Sequence, residues 1–200
     1  MQKQVVLTIS LLFSVFSQSQ AQTLETYVET TSQEILGFIR SHETEFSKNP
    51  IVTKQALAMR LEKIVDFERI TRGVMGKFYL GVSEDQKRLF KVEFRQSVVD
   101  LFAVTILAIK GESLMVRPLN EVPSGKVSIV MDVQTEDGQK FELAYSMLEK
   151  GDNWYVGNMI VNGLNLGLVY RNQFKAQMKQ YGNDVNKVIE HWESDINLGD

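Results

Sequence analysis

Residues 127–147, with the sequence VSIVMDVQTEDGQKFELAYSM, decide the fold class of this chain. Every second residue from Val127 to Val133 is apolar, and such alternation is typical of a β-strand that buries one face. Asp137-Gly138 predicts a tight hairpin turn, because these residues tolerate the positive φ angles that the turn requires. Apolar residues alternate again after the turn, so the stretch predicts two antiparallel strands with a shared buried face.

Two further strands extend this hairpin into a meander. Leu114 to Arg117 forms a short candidate strand before it, and Trp154 to Val161 forms a last strand after it. The last strand is apolar on both faces, which indicates that it lies centrally beneath a layer of helices. We therefore expect a curved, mainly antiparallel sheet of four strands.

Helical periodicity flanks the predicted sheet on both sides in the sequence. Apolar residues recur there at spacings of three and four, and the longest such stretch begins at a capping box formed by Ser83 and Gln86. Asp66 and Asn165 are candidate caps of two further helices. Helices, then a meander, then helices form an α+β fold with the helices packed on one side of the sheet. The predicted helices span residues 23–46, 53–66 with Thr53 as the cap, 67–74, 83–111, 165–182 and 184–192.

The first 21 residues carry the features of a secretory signal peptide. Lys3 provides a positive charge, Val5 to Phe16 is an apolar run, and Ser19-Gln20-Ala21 offers the small residues that signal peptidase recognises. A membrane anchor is the alternative, but spanning a bilayer takes about 20 apolar residues, and this run is shorter. We therefore expect residues 1–21 to be a signal peptide and residues 22–200 to form one domain.

The composition excludes several functional classes. A hydrophobic fraction of 44% and a charged fraction of 24% are those of a globular domain. A net charge of -3 argues against nucleic acid as a partner, because binding it needs a basic surface. The chain has no cysteine, and its only histidines, His42 and His191, have no metal-binding spacing. We expect no metal and no cofactor.

Flexible and aromatic side chains are abundant. The chain has 8 methionines and 11 phenylalanines, which can fill a core or line a cavity of irregular shape. Composition alone favours an ordinary core and leaves an apolar cavity as the alternative.

Several motifs, taken in their order along the chain, resemble one protein family. They are residues 67–79 (FERITRGVMGKFY), 83–86 (SEDQ), 90–94 (FKVEF), Tyr145, 151–156 (GDNWYV), 161–165 (VNGLN) and 170–174 (YRNQF). Each motif is short, but together they cover essentially the whole mature chain. In this order and spacing the chain resembles the MlaC family, also called the toluene-tolerance auxiliary family.

The resemblance implies a periplasmic phospholipid carrier with an NTF2-like α+β fold. In that family a curved sheet and its helices enclose the acyl chains and leave the head group near solvent. Phospholipid is then cargo and not a cofactor, and the resemblance implies that no reaction is catalysed. The resemblance also implies exchange of lipid with the substrate-binding subunit of an inner-membrane ABC transporter and with an outer-membrane lipoprotein complex, which maintains outer-membrane lipid asymmetry. We expect a monomer.

Two other functions stay open at this point. An NTF2-like enzyme acting on a small hydrophobic substrate would need a carboxylate or histidine that faces the cavity and has a perturbed pKa. A chaperone-like adaptor would have a solid core and no cavity.

The resemblance and the apolar patterns together predict a cavity between the long helix and the inward face of the sheet. Arg171 is the candidate for its mouth, where a guanidinium could meet a phosphate, and a plain surface salt bridge is the alternative role for it. The predicted lining residues are Val74, Phe78, Val98, Phe102, Ile106, Met131, Leu143, Tyr145, Val156, Ile160, Val169 and Tyr170.

Overall fold

A computed structural model describes residues 23–109, 111–117, 127–135, 137–151, 153–194 and 196, without the side chains at positions 104, 106–109, 111 and 112. The predicted signal peptide, residues 1–21, lies outside the described residues. The helices are α1 (Leu24–Ser41), α2 (Glu43–Lys48), α3 (Pro50–Leu61), α4 (Phe67–Met75), α5 (Glu84–Ile109), α6 (Leu166–Gln180) and α7 (Val185–Glu190), with a 3-10 helix at Gly76–Gly81. The strands are β1 (Gly111–Val116), β2 (Val127–Thr135), β3 (Lys140–Lys150), β4 (Asn153–Val161) and β5 (Leu164–Asn165).

The strands form one antiparallel meander in the order β1-β2-β3-β4-β5. The α+β class and the antiparallel sheet are confirmed, and the predicted count of four strands is wrong by one. The fifth strand has only two residues, and Leu164 pairs with Val161 at the end of β4. Such a short strand produces no visible alternation in the sequence. Strands β1 and β5 are the two edges within the described ranges, so the sheet is open.

The predicted central position of β4 is also wrong, because β3 is the middle strand and β4 is next to the edge. The apolar character of β4 has another cause. The backbone of Val156 accepts a hydrogen bond from Asp66 N at 3.0 Å and donates one to Ile64 O at 2.7 Å. The link between α3 and α4 therefore covers the edge of β4 beyond β5, and the strand is shielded without being central.

Three predicted helix caps are confirmed. Ser83 and Gln86 form the reciprocal capping box of α5, with N···O distances of 2.9 and 3.2 Å. The Asp66 carboxylate accepts from Arg69 N at 3.1 Å at the start of α4. The Asn165 side chain accepts from Leu168 N at 3.0 Å at the start of α6. These side chains fix the positions at which the helices leave the loops.

Three predicted helix boundaries are wrong. The single helix expected over residues 23–46 is divided at His42, where the Ser41 hydroxyl and the His42 ring each contact the Phe38 carbonyl at 3.0 and 2.8 Å. Side-chain bonds of this kind compete with helix continuation. The next helix begins at Pro50, not after Thr53, because proline at the first helical position loses no hydrogen bond. Thr53 lies inside α3. This helix ends at Leu61 and not at Asp66, because the backbone of Ile64 and Asp66 bonds to Val156 instead of continuing the helix.

The core consists of two clusters. The larger one holds the second half of α1 and helices α2 to α7 together, and it includes Phe90, whose ring centroid lies 4.7 Å from that of Phe174 and 4.9 Å from that of Trp192. The smaller one joins the start of α1 to the sheet through Val28 and Met147. Residues of both clusters contribute to the wall of an internal cavity, which is the candidate site.

Candidate functional site

A cavity of about 190 Å³ lies between the helices and the inward face of the sheet. Its volume exceeds that of the roughly 150 Å³ engineered apolar cavity that takes up benzene, and it is below the roughly 300–1,000 Å³ of typical ligand pockets. The wall residues are Tyr27, Val28, Thr31, Ser32, Ile35, Leu36, Leu61, Ile64, Val65, Phe67, Ile70, Phe94, Val98, Leu101, Phe102, Thr105, Leu114, Met131, Val133, Leu143, Tyr145, Met147, Val156, Asn158, Met159, Val161, Leu166, Gly167 and Tyr170.

The strand register builds the sheet side of the wall. Leu143 pairs with Met131 on one neighbouring strand and with Val161 on the other, so these three side chains form a row across the sheet. Tyr145 and Met159 form the next row. Because side chains alternate between faces along a strand, the rows present a continuous apolar surface to the cavity.

A β-bulge in β4 changes which residues of that strand face inward. Ser146 pairs with Asn158 but Met147 pairs with Val156, which leaves Gly157 as the extra residue. Beyond the bulge, Met159 and Val161 line the cavity. An extra residue reverses the alternation, because side chains repeat with a period of two.

The bulge corrects the prediction for Ile160. Its partner on β3 is Ala144, which lies between the inward residues Leu143 and Tyr145, so Ile160 is on the outer face of the sheet and not on the wall. The prediction assumed that side chains alternate without interruption from Val156 onward, which would put Ile160 on the inner face. A β-carbon at Gly157 would lie 2.5 Å from Leu148 Cδ1, so the bulge is occupied by the one residue type without that atom.

Helix α5 supplies the opposite side of the wall. Val98 and Phe102, both predicted to line the cavity, do so one turn apart, together with Phe94, Leu101 and Thr105. The predicted Ile106 follows on the same helix, but its side chain lies outside the described part of the structure.

Four other predicted residues are placed away from the wall. Val74 is 2% exposed and packs in the helical core, and the Phe78 ring lies 6.0 Å from that of Phe174. Leu166, Gly167 and Tyr170 are the cavity-facing residues of α6, which leaves Val169 on the flank of that helix. Arg171 is exposed, and its guanidinium lies against Gly76, where a β-carbon would be 3.1 Å from Nε.

Helix α1 is the wall that the sequence interpretation missed. Its cavity-facing residues are Tyr27, Val28, Thr31, Ser32, Ile35 and Leu36. They recur as neighbouring pairs four residues apart, which places them on one helical face. The pair Thr31 and Ser32 interrupts the apolar stripe, so the pattern indicated a surface helix more than a cavity wall.

The polar groups of the wall are few and uncharged. Among the described lining residues there is no acidic, basic or histidine side chain. Burial raises the pKa of Tyr145 above its usual range and the pKa of Tyr170 to about 12, so both phenols stay protonated. Asn158 has structural partners, because it accepts from Gly167 N and donates to Asn165 Oδ1, each at 3.1 Å. The described part of the wall can therefore hold apolar matter and contributes no acid or base.

Other kinds of site are not seen in the described ranges. No three histidine, aspartate or glutamate side chains there are grouped as metal ligands. No helix in those ranges has both the length and the hydropathy that crossing a bilayer requires.

A family model, a relative and a solved structure all relate this chain to the same kind of protein. The family model described as MlaC protein matches residues 29–194. The toluene tolerance protein ttg2D of Pseudomonas putida is 28% identical over 177 residues, which cover 88% of this chain and 82% of the relative. A phospholipid-binding protein from Ralstonia solanacearum, solved in complex with a phospholipid, superposes with a TM-score of 0.73 at 20% identity and covers 85% of this chain and 93% of its own. The sequence resemblance is thereby confirmed, and the chain belongs to the MlaC family.

Proposed function

We propose that this protein is a periplasmic phospholipid carrier that shields acyl chains in the cavity while it moves lipid between the two membranes. The observation that carries the proposal is the wall itself, which combines apolar side chains from α1, α5 and the sheet and has no described charged group. Phospholipid is the cargo, and the Ralstonia solanacearum protein of the same fold was solved with a phospholipid bound.

A lipid carrier needs an apolar cavity because acyl chains are costly to expose to water. Each methylene of an acyl chain costs about 0.8 kcal/mol when it is exposed to water. A chain of some fifteen methylenes therefore meets a barrier of roughly 12 kcal/mol on leaving a membrane unaided. An apolar wall removes most of that cost, since it replaces water with protein hydrocarbon.

The cargo must enlarge the cavity. A volume of about 190 Å³ is smaller than typical ligand pockets, so two acyl chains need additional space. The first half of α1 is the segment that we propose to move outward, because Leu24 and Val28 hold it on the sheet through the smaller of the two core clusters. Ile35, Phe38 and Ile39, in the second half of α1, stay packed in the larger cluster during this movement.

The cellular part of the proposal follows from family membership. We propose that residues 1–21 direct export to the periplasm and that residues 22–200 form the lipid-binding domain. The proposed partners are the substrate-binding subunit of an inner-membrane ABC transporter and an outer-membrane lipoprotein complex, with the protein acting as a monomer. A role in outer-membrane lipid asymmetry is consistent with the description of the Pseudomonas putida relative as a toluene tolerance protein.

The alternatives are less well supported. An NTF2-like enzyme needs a titratable group that points into the cavity, and the described lining residues include no carboxylate or imidazole. A chaperone-like adaptor with a solid core is disfavoured by the presence of the cavity.

Lipid analysis tests the proposal directly. The purified protein is expected to release phospholipid on organic extraction, detected by mass spectrometry. Phe102→Glu should abolish this lipid, because it puts a charge on the wall, whereas Val130→Glu should not. Val130 is half-buried like Phe102, but it pairs with Ala144 on the outer face of the sheet. A native protein that stays empty after incubation with phospholipid vesicles would exclude the carrier role.

A further inference from the structure

Two neighbouring helical segments concentrate positive charge. Residues 67–81, which form α4 and the 3-10 helix, contain three basic residues and one acidic residue, Glu68, which pairs with Lys91. Helix α6 contains three basic residues and no acidic one. The whole chain has 22 basic and 25 acidic residues, so the excess of cations in these segments is local. Among the described residues, none of the six forms a salt bridge. We call them the basic surface: Arg69, Arg72, Lys77, Arg171, Lys175 and Lys179.

Direct contacts join the two halves of the basic surface. Helix α4 packs against α6, and the Arg171 guanidinium lies against Gly76, at the start of the 3-10 helix. From α4, the Arg72 guanidinium also reaches the 3-10 helix, where it lies 5.1 Å from the centroid of the Tyr79 ring. Cations from both segments therefore meet at the 3-10 helix.

The same 3-10 helix holds an apolar side chain in solvent. Leu80 is 91% exposed, the highest value among the exposed large hydrophobic residues of the described chain. Its neighbour Tyr79 is buried and donates a hydrogen bond of 3.1 Å to Glu68, which fixes the segment. A 3-10 helix has three residues per turn, so exposed Lys77 and Leu80 are on the same side.

Helix α6 repeats this combination. Leu168 is 54% exposed and lies one turn before Arg171, and Lys175 follows one turn later. Spacings of three and four residues place all three on one helical face. The basic surface thus has an exposed leucine in each of its two segments.

We propose that the basic surface, with Leu80 and Leu168, docks the protein on an anionic lipid bilayer. Clustered lysine and arginine side chains attract anionic head groups, and exposed leucines can bury themselves at the boundary with the acyl chains. An anionic bilayer accounts for both features in one partner, because its head groups attract the cations and its acyl boundary takes up the two leucines. The combination of charge and apolar side chains therefore favours the bilayer.

The position of this surface relates it to the cavity. Ile70 of α4 and Tyr170 of α6 line the cavity, while the cations occupy the exposed positions of the same two helices. Docking would bring this wall of the cavity close to the membrane. The inference goes beyond the carrier role and does not require that the cavity hold lipid.

Vesicle flotation at low salt tests the inference. The protein is expected to float with vesicles of phosphatidylcholine mixed with phosphatidylglycerol, less with vesicles of phosphatidylcholine alone, and less again at high salt. Each basic residue near an anionic surface contributes about fivefold to binding, so Lys175→Gln with Lys179→Gln should weaken it about 25-fold. Leu80→Ser should weaken it as well.

Matched controls separate this surface from general charge and hydrophobicity. Lys63→Gln with Lys140→Gln removes two exposed lysines elsewhere, and Met115→Ser shortens an apolar side chain that is 68% exposed on β1. Both controls should bind like the native protein. Equal binding to the two kinds of vesicle, or no effect of the α6 variant, would overturn the inference. Phospholipid extracted from each variant reports separately on the carrier role and should not change.

Discussion

The Tyr27 hydroxyl donates a hydrogen bond of 2.9 Å to the backbone carbonyl of Trp154, and this bond joins α1 to β4 at the edge of the cavity. Val28, the next residue, packs with Met147 in the small cluster that holds α1 on the sheet. The proposed outward movement of α1 must break the hydrogen bond first. Tyr27 is therefore positioned to set how readily the cavity opens.

Tyr27→Phe is expected to speed lipid exchange. The change removes the hydrogen bond but keeps the ring, so the free energy of unfolding should fall by only about 1 kcal/mol. Transfer of a fluorescent phospholipid from the protein to vesicles should become faster. Tyr155→Phe is the control, because it also removes a phenol from this region but leaves the bond from Tyr27 intact. Equal transfer rates in the two variants would refute the role of α1 as the moving element.

Met159 and Ile160 give a direct test of the bulge. Both are half-buried neighbours on β4, but Met159 lines the cavity and Ile160 is on the outer face. Met159→Glu should eliminate copurified phospholipid, because an uncompensated charge would enter an apolar site. Ile160→Glu should retain it. The opposite result would mean that β4 keeps the uninterrupted alternation that its sequence suggests.

The sequence predicted the strands of the meander better than it predicted the phase of β4. In β2, polar residues mark the outer face, so the inward position of Met131 is evident from the alternation. In β4, both faces are apolar and Gly157 can be accommodated with or without a bulge. The bulge depends on pairing with β3, where the consecutive residues Ser146 and Met147 pair with Asn158 and Val156, which are two residues apart instead of one. Because this pairing involves residues of two strands, the sequence of β4 alone does not reveal it.

Helical periodicity also predicts the cavity wall only in part. Phe102 is on the widest apolar stripe of the longest helix, and its place on the wall follows from that pattern. Val74 is on an equally apolar face of α4, but that face continues from the cavity into the helical core, so Phe67 and Ile70 reach the cavity and Val74 does not. Where a single face serves both core and cavity, periodicity cannot separate the two.

Glu68 should make the stability of the fold depend on pH. A hydrogen bond from Lys91, supported by one from Tyr79, lowers the pKa of the Glu68 carboxyl below 4.5. A lowered pKa in the folded state stabilises the protein above the unfolded pKa, and this stabilisation is lost as the pH falls through the folded pKa. Because Glu68 is mostly exposed, the effect should be below about 1 kcal/mol.

Urea unfolding of Glu68→Gln at several pH values measures this contribution. The variant should be less stable than the native protein near neutral pH, and the difference should shrink as the pH falls below about 4. Glu190→Gln, at an exposed site in α7 for which the described residues provide no salt bridge, is the control. A difference between Glu68→Gln and the native protein that is constant with pH would contradict the assignment.

Gly167 and Gly73 are expected to respond in opposite ways to alanine. A β-carbon at Gly167 would lie 2.5 Å from Asn158 Oδ1, the atom that accepts the hydrogen bond from Gly167 N. The Asn158 side chain must therefore move. Its hydrogen bonds, which join β4 to the start of α6, are then lost, and this loss should cost about 1–3 kcal/mol of stability. Gly73 is at an exposed position of α4, and a β-carbon there would meet nothing within 4 Å, so alanine should stabilise the fold by roughly 0.5–1 kcal/mol. Thermal unfolding of the two variants measures both effects. A stabilising Gly167→Ala would show that the hydrogen bonds of Asn158 do not hold α6 in place.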